Sequence, residues 1–146
     1  MNVSRIALAA VAGTVFDVVY GFAVYGTLLS GQFANYPAVY RSAETGPGYL
    51  PLMFCGVFVA MAAATTIYAK GYEGGSGVAE GVRFGVLLGI FVVAAFAGVN
   101  YAVLNIGRRL AVAVAAAELF EWTLAGVVIG LVYKPAVSVR RSAAPA

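Results

Sequence analysis

Residues Phe16–Gly31 read FDVVYGFAVYGTLLSG, a run in which Asp17 is the only charged side chain. A helix of a soluble protein keeps one polar face. This run has none, and apolarity extends from Ile6, before the run, to Leu29 within it. A stretch of about 20 apolar residues is long enough to cross a hydrocarbon layer of about 30 Å as a helix. Three further runs share the character, Tyr49 to Ala69, Phe84 to Leu104 and Leu110 to Tyr133. The spans are therefore placed at about 6–29, 49–69, 84–104 and 110–133.

The whole chain agrees with its first span. Of 146 residues, 62% are hydrophobic and 10% charged, against roughly 25% charged in a soluble domain; mean hydropathy is +0.92. Lipid offers backbone amides no partner, so each span must satisfy them internally as a helix. A membrane β-barrel needs alternating apolar and polar residues, which these runs lack. The expected fold is all-α: four transmembrane helices in an antiparallel bundle over 1–134, then a short basic cytoplasmic tail over 135–146. Arg5 and Ala10-Val11-Ala12 resemble parts of a cleaved signal. The apolar segment before that site is too short for one, so the first helix is read as uncleaved.

Lys and Arg in short connections set orientation. With both termini cytoplasmic, the inside carries Arg5, Lys70, Arg83, Lys134, Arg140 and Arg141, and the outside Arg41, Arg108 and Arg109. Six against three favours that orientation, and the location it fits is the inner membrane of a bacterium. The pI near 9.2 reflects these flanking cations rather than nucleic-acid binding. Cys55 is the single cysteine, which excludes an internal disulfide, and there is no histidine. Ser-His-Asp and Cys-His catalysis are excluded, as are the usual ligands of zinc and haem iron. No cofactor and no metal site are expected, and enzymatic activity is the least favoured reading.

The connections carry their own signals. The first, Ser30 to Gly48, spaces Phe33, Tyr36 and Tyr40 at helical intervals; Asn35 can cap a short helix that Gly46-Pro47-Gly48 would end. It reads as an interfacial aromatic anchor, with a lid over an outward-facing cavity as the alternative. The second, KGYEGGSGVAEGVR, holds five glycines and reads as a flexible cytoplasmic loop, with Glu80 and Arg83 as a local surface pair. The third, NIGRR, is short enough to make the last two helices neighbours.

Three acids lie inside the spans: Asp17, Glu118 and Glu121. An ionised acid at a helix centre costs on the order of 3 kcal/mol to insert, so these side chains are expected to face the bundle interior or water. The Asp17 face carries Ala10, Gly13, Thr14, Tyr20, Gly21 and Val24. Gly13 and Gly21 are small enough to admit a neighbouring backbone. Gly81, Gly85 and Gly89 form a second small-residue seam. Glu118 and Glu121 share a face with Trp122, and Asn100 lies near the outer end of the third helix. With no base at their depth, the acids are expected to be protonated and hydrogen-bonded to groups such as Tyr20, Thr14 or Asn100, to hold a cation through oxygen ligands, or to line a wet path. Tyr20, Tyr25 and Tyr101 can line a pocket. The structural alternative is that the acids only join helices.

Several stretches resemble an uncharacterised family of small bacterial four-span integral membrane proteins: GFAVYGTLLSGQF, IYAKG, EGVRFGVLLGIF, NYAVLNIG and AGVVIGLVYK. The resemblance covers most of the chain and implies a four-helix membrane bundle, without implying a chemistry. Glu118 and Glu121 fall outside the shared pattern. The function this sequence favours is proton- or cation-linked transport or channel activity using the intramembrane acids, in a homo-oligomer or with a membrane protein partner in the bilayer. The alternative is a non-catalytic accessory subunit or scaffold of a membrane complex.

Overall fold

The computed structural model describes residues 1–133. Lys134 and the basic tail expected over 135–146, with Arg140 and Arg141, lie outside the described residues. Every regular element among them is helical. Four helices are long and apolar enough to cross a membrane: α1 (Val3–Leu28), α2 (Gly46–Gly71), α3 (Gly77–Val103) and α4 (Arg108–Tyr133). Their lengths of 26 or 27 residues correspond to roughly 40 Å at 1.5 Å per residue. Leu8, Val19, Leu87, Phe91, Phe120 and Leu131 are among many large apolar side chains left exposed. In water that surface would be a liability, whereas lipid solvates it.

The helix ends follow local chemistry. Asn2 caps α1, its side-chain oxygen accepting from the Arg5 N–H at 3.1 Å. The last turn of α1, Val24–Leu28, widens into a π-helix: the Leu29 N–H reaches the Val24 carbonyl at 2.8 Å, and the Thr27 hydroxyl the Phe22 carbonyl at 3.1 Å. Gly46-Pro47-Gly48 does not end a helix; it forms the 3-10 turn that begins α2. Proline suits a first turn because its φ is already helical and its missing N–H is not needed there. Pro51 repeats the device. Asn35 follows the single helical turn Ser30–Phe33 rather than capping it.

α3 starts at Gly77, seven residues before the position expected from apolarity, so much of the glycine-rich second connection is helical. The reason lies in packing. Gly77, Gly81, Gly85 and Gly89 are buried on one face of α3, directly against the backbone of α4. A Cβ at Gly81 would stand 2.5 Å from the Gly126 carbonyl oxygen, and one at Gly85 2.5 Å from that of Trp122. Gly77 likewise faces Gly130, and Gly89 faces Leu119. Backbones this close gain dispersion contacts, which outweigh the low helix propensity of glycine. Only Tyr72–Ser76 remain outside the helices of this connection. Glu80 holds them, accepting from the Gly75 N–H at 2.5 Å and the Glu73 N–H at 3.3 Å. Arg83 pairs with Glu73 at 3.9 Å rather than with Glu80, and both side chains are exposed, a geometry that contributes little.

α1 packs against both α2 and α4, while α2 touches α4 only slightly. Ala9, Met61, Ala64, Tyr68, Ala125, Ile129 and Tyr133 form the shared core. Gly13 admits this convergence: a Cβ there would lie 3.1 Å from Met61 Sδ and 3.6 Å from Ile129 Cγ1. Gly21 meets only Tyr25 of its own helix, so it is not a contact between helices. The first and third connections meet at one end of the molecule, where the Gly107 N–H donates to the Tyr36 hydroxyl at 3.0 Å.

Candidate functional site

The polar interior lies between α1 and α4. Residues three and four apart share a helix face, which turns Asp17 and Tyr20 of α1 toward Ala117, Glu118 and Glu121 of α4. The Tyr20 hydroxyl donates to the Ala117 carbonyl at 2.9 Å. The Tyr25 hydroxyl donates to Glu121 Oε2 at 2.8 Å. Asp17 and Glu121 are electrostatic neighbours across the α1–α4 contact. Glu121 is the most enclosed of the acids, at 6% exposure; Asp17 and Glu118 are partly buried. Among the described residues no Lys or Arg nitrogen stands within ion-pair distance of these three acids.

The remaining candidates distribute unevenly. Glu118 Oε2 is buried without a hydrogen-bond partner, and among the described residues no three acidic or cysteine groups converge as a metal would require. Thr14 does not serve the acids; its hydroxyl returns to the Ala10 carbonyl of its own helix at 2.8 Å. Asn100 is exposed on α3 and stands apart from the carboxyl pair. Trp122 contributes its backbone carbonyl to the Gly85 contact. Tyr101 is also exposed.

Tyr25 has a larger part than its sequence position suggests. It sits in the π-helical turn, a geometry that recurs at functional sites. It also stands in a continuous line of rings. Phe16 and Tyr20 have centroids 5.9 Å apart, Tyr20 and Tyr25 6.3 Å, Tyr25 and Phe33 6.5 Å, and Phe33 and Tyr40 4.8 Å. The line runs from beside Asp17 into the first connection. There Tyr25, Phe33, Tyr40 and Arg41 take part in the wall of an open cavity of about 750 Å³. Burial, with Tyr36 nearby, holds the Tyr40 phenol above its ordinary range, so it remains a neutral hydroxyl at physiological pH.

No protein-family model, curated protein or solved structure matches this chain. The chemistry of the site is therefore read from its own atoms.

Proposed function

We propose that the chain is a multi-pass protein of a bacterial inner membrane, an antiparallel four-helix bundle with both termini cytoplasmic, that carries out proton- or cation-linked transport through the Asp17–Glu121 pair. The observation that supports this most is Tyr25 donating to Glu121 at 2.8 Å while Asp17 stands beside the same carboxyl. Two neighbouring carboxyls, with no base beside them, repel each other when both are ionised; one proton or one cation between them removes the repulsion. Intramembrane acids commonly mark such relays.

Asp17 and Glu121 both fall near the midpoints of their helices, the depth at which transporters bind their coupling ions. Tyr25 links the pair to the cavity at the Arg41 end. In the orientation set by the loop cations that end is periplasmic. Four helices give few walls around a pathway, so a homo-oligomer is the expected working unit.

Reconstitution into liposomes under a pH gradient tests the reading. Wild type should move protons, reported by a dye inside the vesicles. Asp17→Asn and Glu121→Gln should abolish the movement while retaining wild-type helicity. Undiminished movement in both variants would refute the role of the pair. A protein that copurifies in fixed stoichiometry would favour the accessory-subunit alternative.

A further inference from the structure

We infer that the cavity beneath the first connection binds a small amphipathic monoanion, one sulfonate-, carboxylate- or phosphate-type head on an apolar body. The inference stands apart from the role proposed for the Asp17–Glu121 pair and needs only the wall of the cavity.

Size comes first. A cavity of about 750 Å³ is within the range of small-molecule sites and far larger than a bare ion needs. The sign of the charge comes next. Arg41 is the only charged side chain in the wall, and the wall holds no carboxylate. An arginine keeps its charge at any physiological pH and carries a fan of N–H donors. Among the described residues no acid stands within ion-pair distance of Arg41; Glu44, three residues on, is neither paired with it nor part of the wall. The Tyr49 ring, with its centroid 3.4 Å from the guanidinium carbon, steadies the group by its face and leaves the N–H groups to an outside acceptor. The backbone adds to them. The N–H groups of Arg41, Ser42 and Ala43, all in the wall, donate to no acceptor among the described residues. Burial, with Tyr36 nearby, keeps the Tyr40 phenol protonated, and so a donor as well.

The rest of the wall sets the orientation. Its other hydroxyls are taken. Ser30 donates to the Thr27 carbonyl at 2.8 Å, Ser42 pairs with Thr45 at 3.1 Å, and Tyr25 donates to Glu121 at 2.8 Å. What Tyr25 offers the cavity is its ring. That ring continues through Phe33 to Tyr40, at centroid separations of 6.5 Å and 4.8 Å, and Arg41 follows Tyr40 in the chain. The free donors therefore gather at one end of an aromatic line. The head of the ligand belongs at Arg41, and its body lies along Phe33 toward Tyr25. Any charge on the acids behind Tyr25 pushes an anionic head the same way.

The full chain, purified in detergent, tests this by calorimetry with three probes: naphthalenesulfonate, its neutral counterpart naphthalenesulfonamide, and dihexanoylphosphatidylglycerol, a soluble lipid with an anionic headgroup. The sulfonate should bind at least about tenfold more tightly than the sulfonamide, the difference one charge-assisted hydrogen bond supplies. Arg41→Gln should bring the sulfonate down to the level of the sulfonamide while leaving the sulfonamide unchanged, which also shows that the cavity is intact. Phe33→Leu should weaken both several-fold, because the ring serves the body and not the head. The lipid separates the two sources of such an anion. A lipid that displaces the sulfonate, or binds alone, and weakens in Arg41→Gln assigns the site to a headgroup; a lipid that does not compete assigns it to a free solute. Equal binding of sulfonate and sulfonamide would overturn the inference in favour of a plain apolar slot. Sulfonate affinity unchanged in Arg41→Gln would overturn it too, as would the failure of both anions to bind at millimolar concentration.

Discussion

Replacing Gly85 by alanine puts one carbon where the backbone of α4 already is. The new Cβ would stand 2.5 Å from the Trp122 carbonyl oxygen and 2.8 Å from both Cα and O of Thr123. A relaxed carbon–oxygen contact is about 3.3 Å or longer. The two helices must therefore part by roughly 0.8 Å at this level, because the obstructing atoms are backbone and cannot rotate away. Overpacking of this kind costs about 1–3 kcal/mol, and the better helix propensity of alanine offsets up to about 1 kcal/mol. The expected net loss is about 1–2 kcal/mol, and more for Gly85→Leu, which should also alter oligomer size in detergent. Gly56 is the control: nothing lies within 4 Å of its Cβ position, so Gly56→Ala should be neutral or slightly stabilising. Gly81→Ala obstructs the same seam, so the Gly81→Ala/Gly85→Ala double variant should lose less than the sum of its parts. Unfolding in mixed micelles, followed by fluorescence, suits the question because Trp122 is the only tryptophan and sits at the contact. Gly85→Ala as stable as wild type, or a double variant that is fully additive, would refute a seam of touching backbones.

Three further outcomes follow from the polar interior. Tyr25→Phe removes the donor to a carboxyl that is 6% exposed and should destabilise by about 1–3 kcal/mol, whereas Tyr20→Phe leaves a carbonyl within a helix and should lose no more than about 1.5 kcal/mol; the same unfolding measurement ranks them. Asp17→Asn keeps the shape and hydrogen-bonding capacity of a protonated acid and should fold as wild type, while Asp17→Ala should lose about 1–3 kcal/mol, checked by thermal unfolding. Thr65 is fully buried with its hydroxyl unpartnered, so Thr65→Val should be neutral or stabilising by up to about 1 kcal/mol; a clear loss would place a hidden partner at that hydroxyl.

The four helices were legible because lipid imposes a length and a composition that ordinary counting detects. Their ends were not. Glycine and proline usually punctuate, so KGYEGGSGVAEGVR and Gly46-Pro47-Gly48 read as a loop and a stop. In the fold the first begins a helix because Gly77 and Gly81 meet Gly130 and Gly126 on α4, partners some fifty residues away in sequence. The second begins a helix because proline fits a first turn. Local propensity cannot register a gain that exists only when another helix arrives.

The acids divide in the same way. That Asp17 and Glu121 turn inward follows from the insertion cost of a carboxyl, which is written in one helix at a time. That Tyr25 reaches Glu121 does not. At 100° per residue Tyr25 lies roughly 80° around α1 from Asp17, off the face that carries the acid. The π-helical turn starts only at Val24, so it is the long phenol side chain that spans the offset to Glu121. Tyr25 then touches Glu121 on one side and the cavity of the first connection on the other. Asn100 was drawn toward the acids by its chemistry, yet it sits exposed on α3. α3 packs chiefly on α4 through its glycines, and that face leaves Asn100 outside. A residue joins this site when its helix presents it to the α1–α4 contact, whatever its polarity; Tyr25 meets that condition through the reach of its side chain, and Asn100 does not meet it at all.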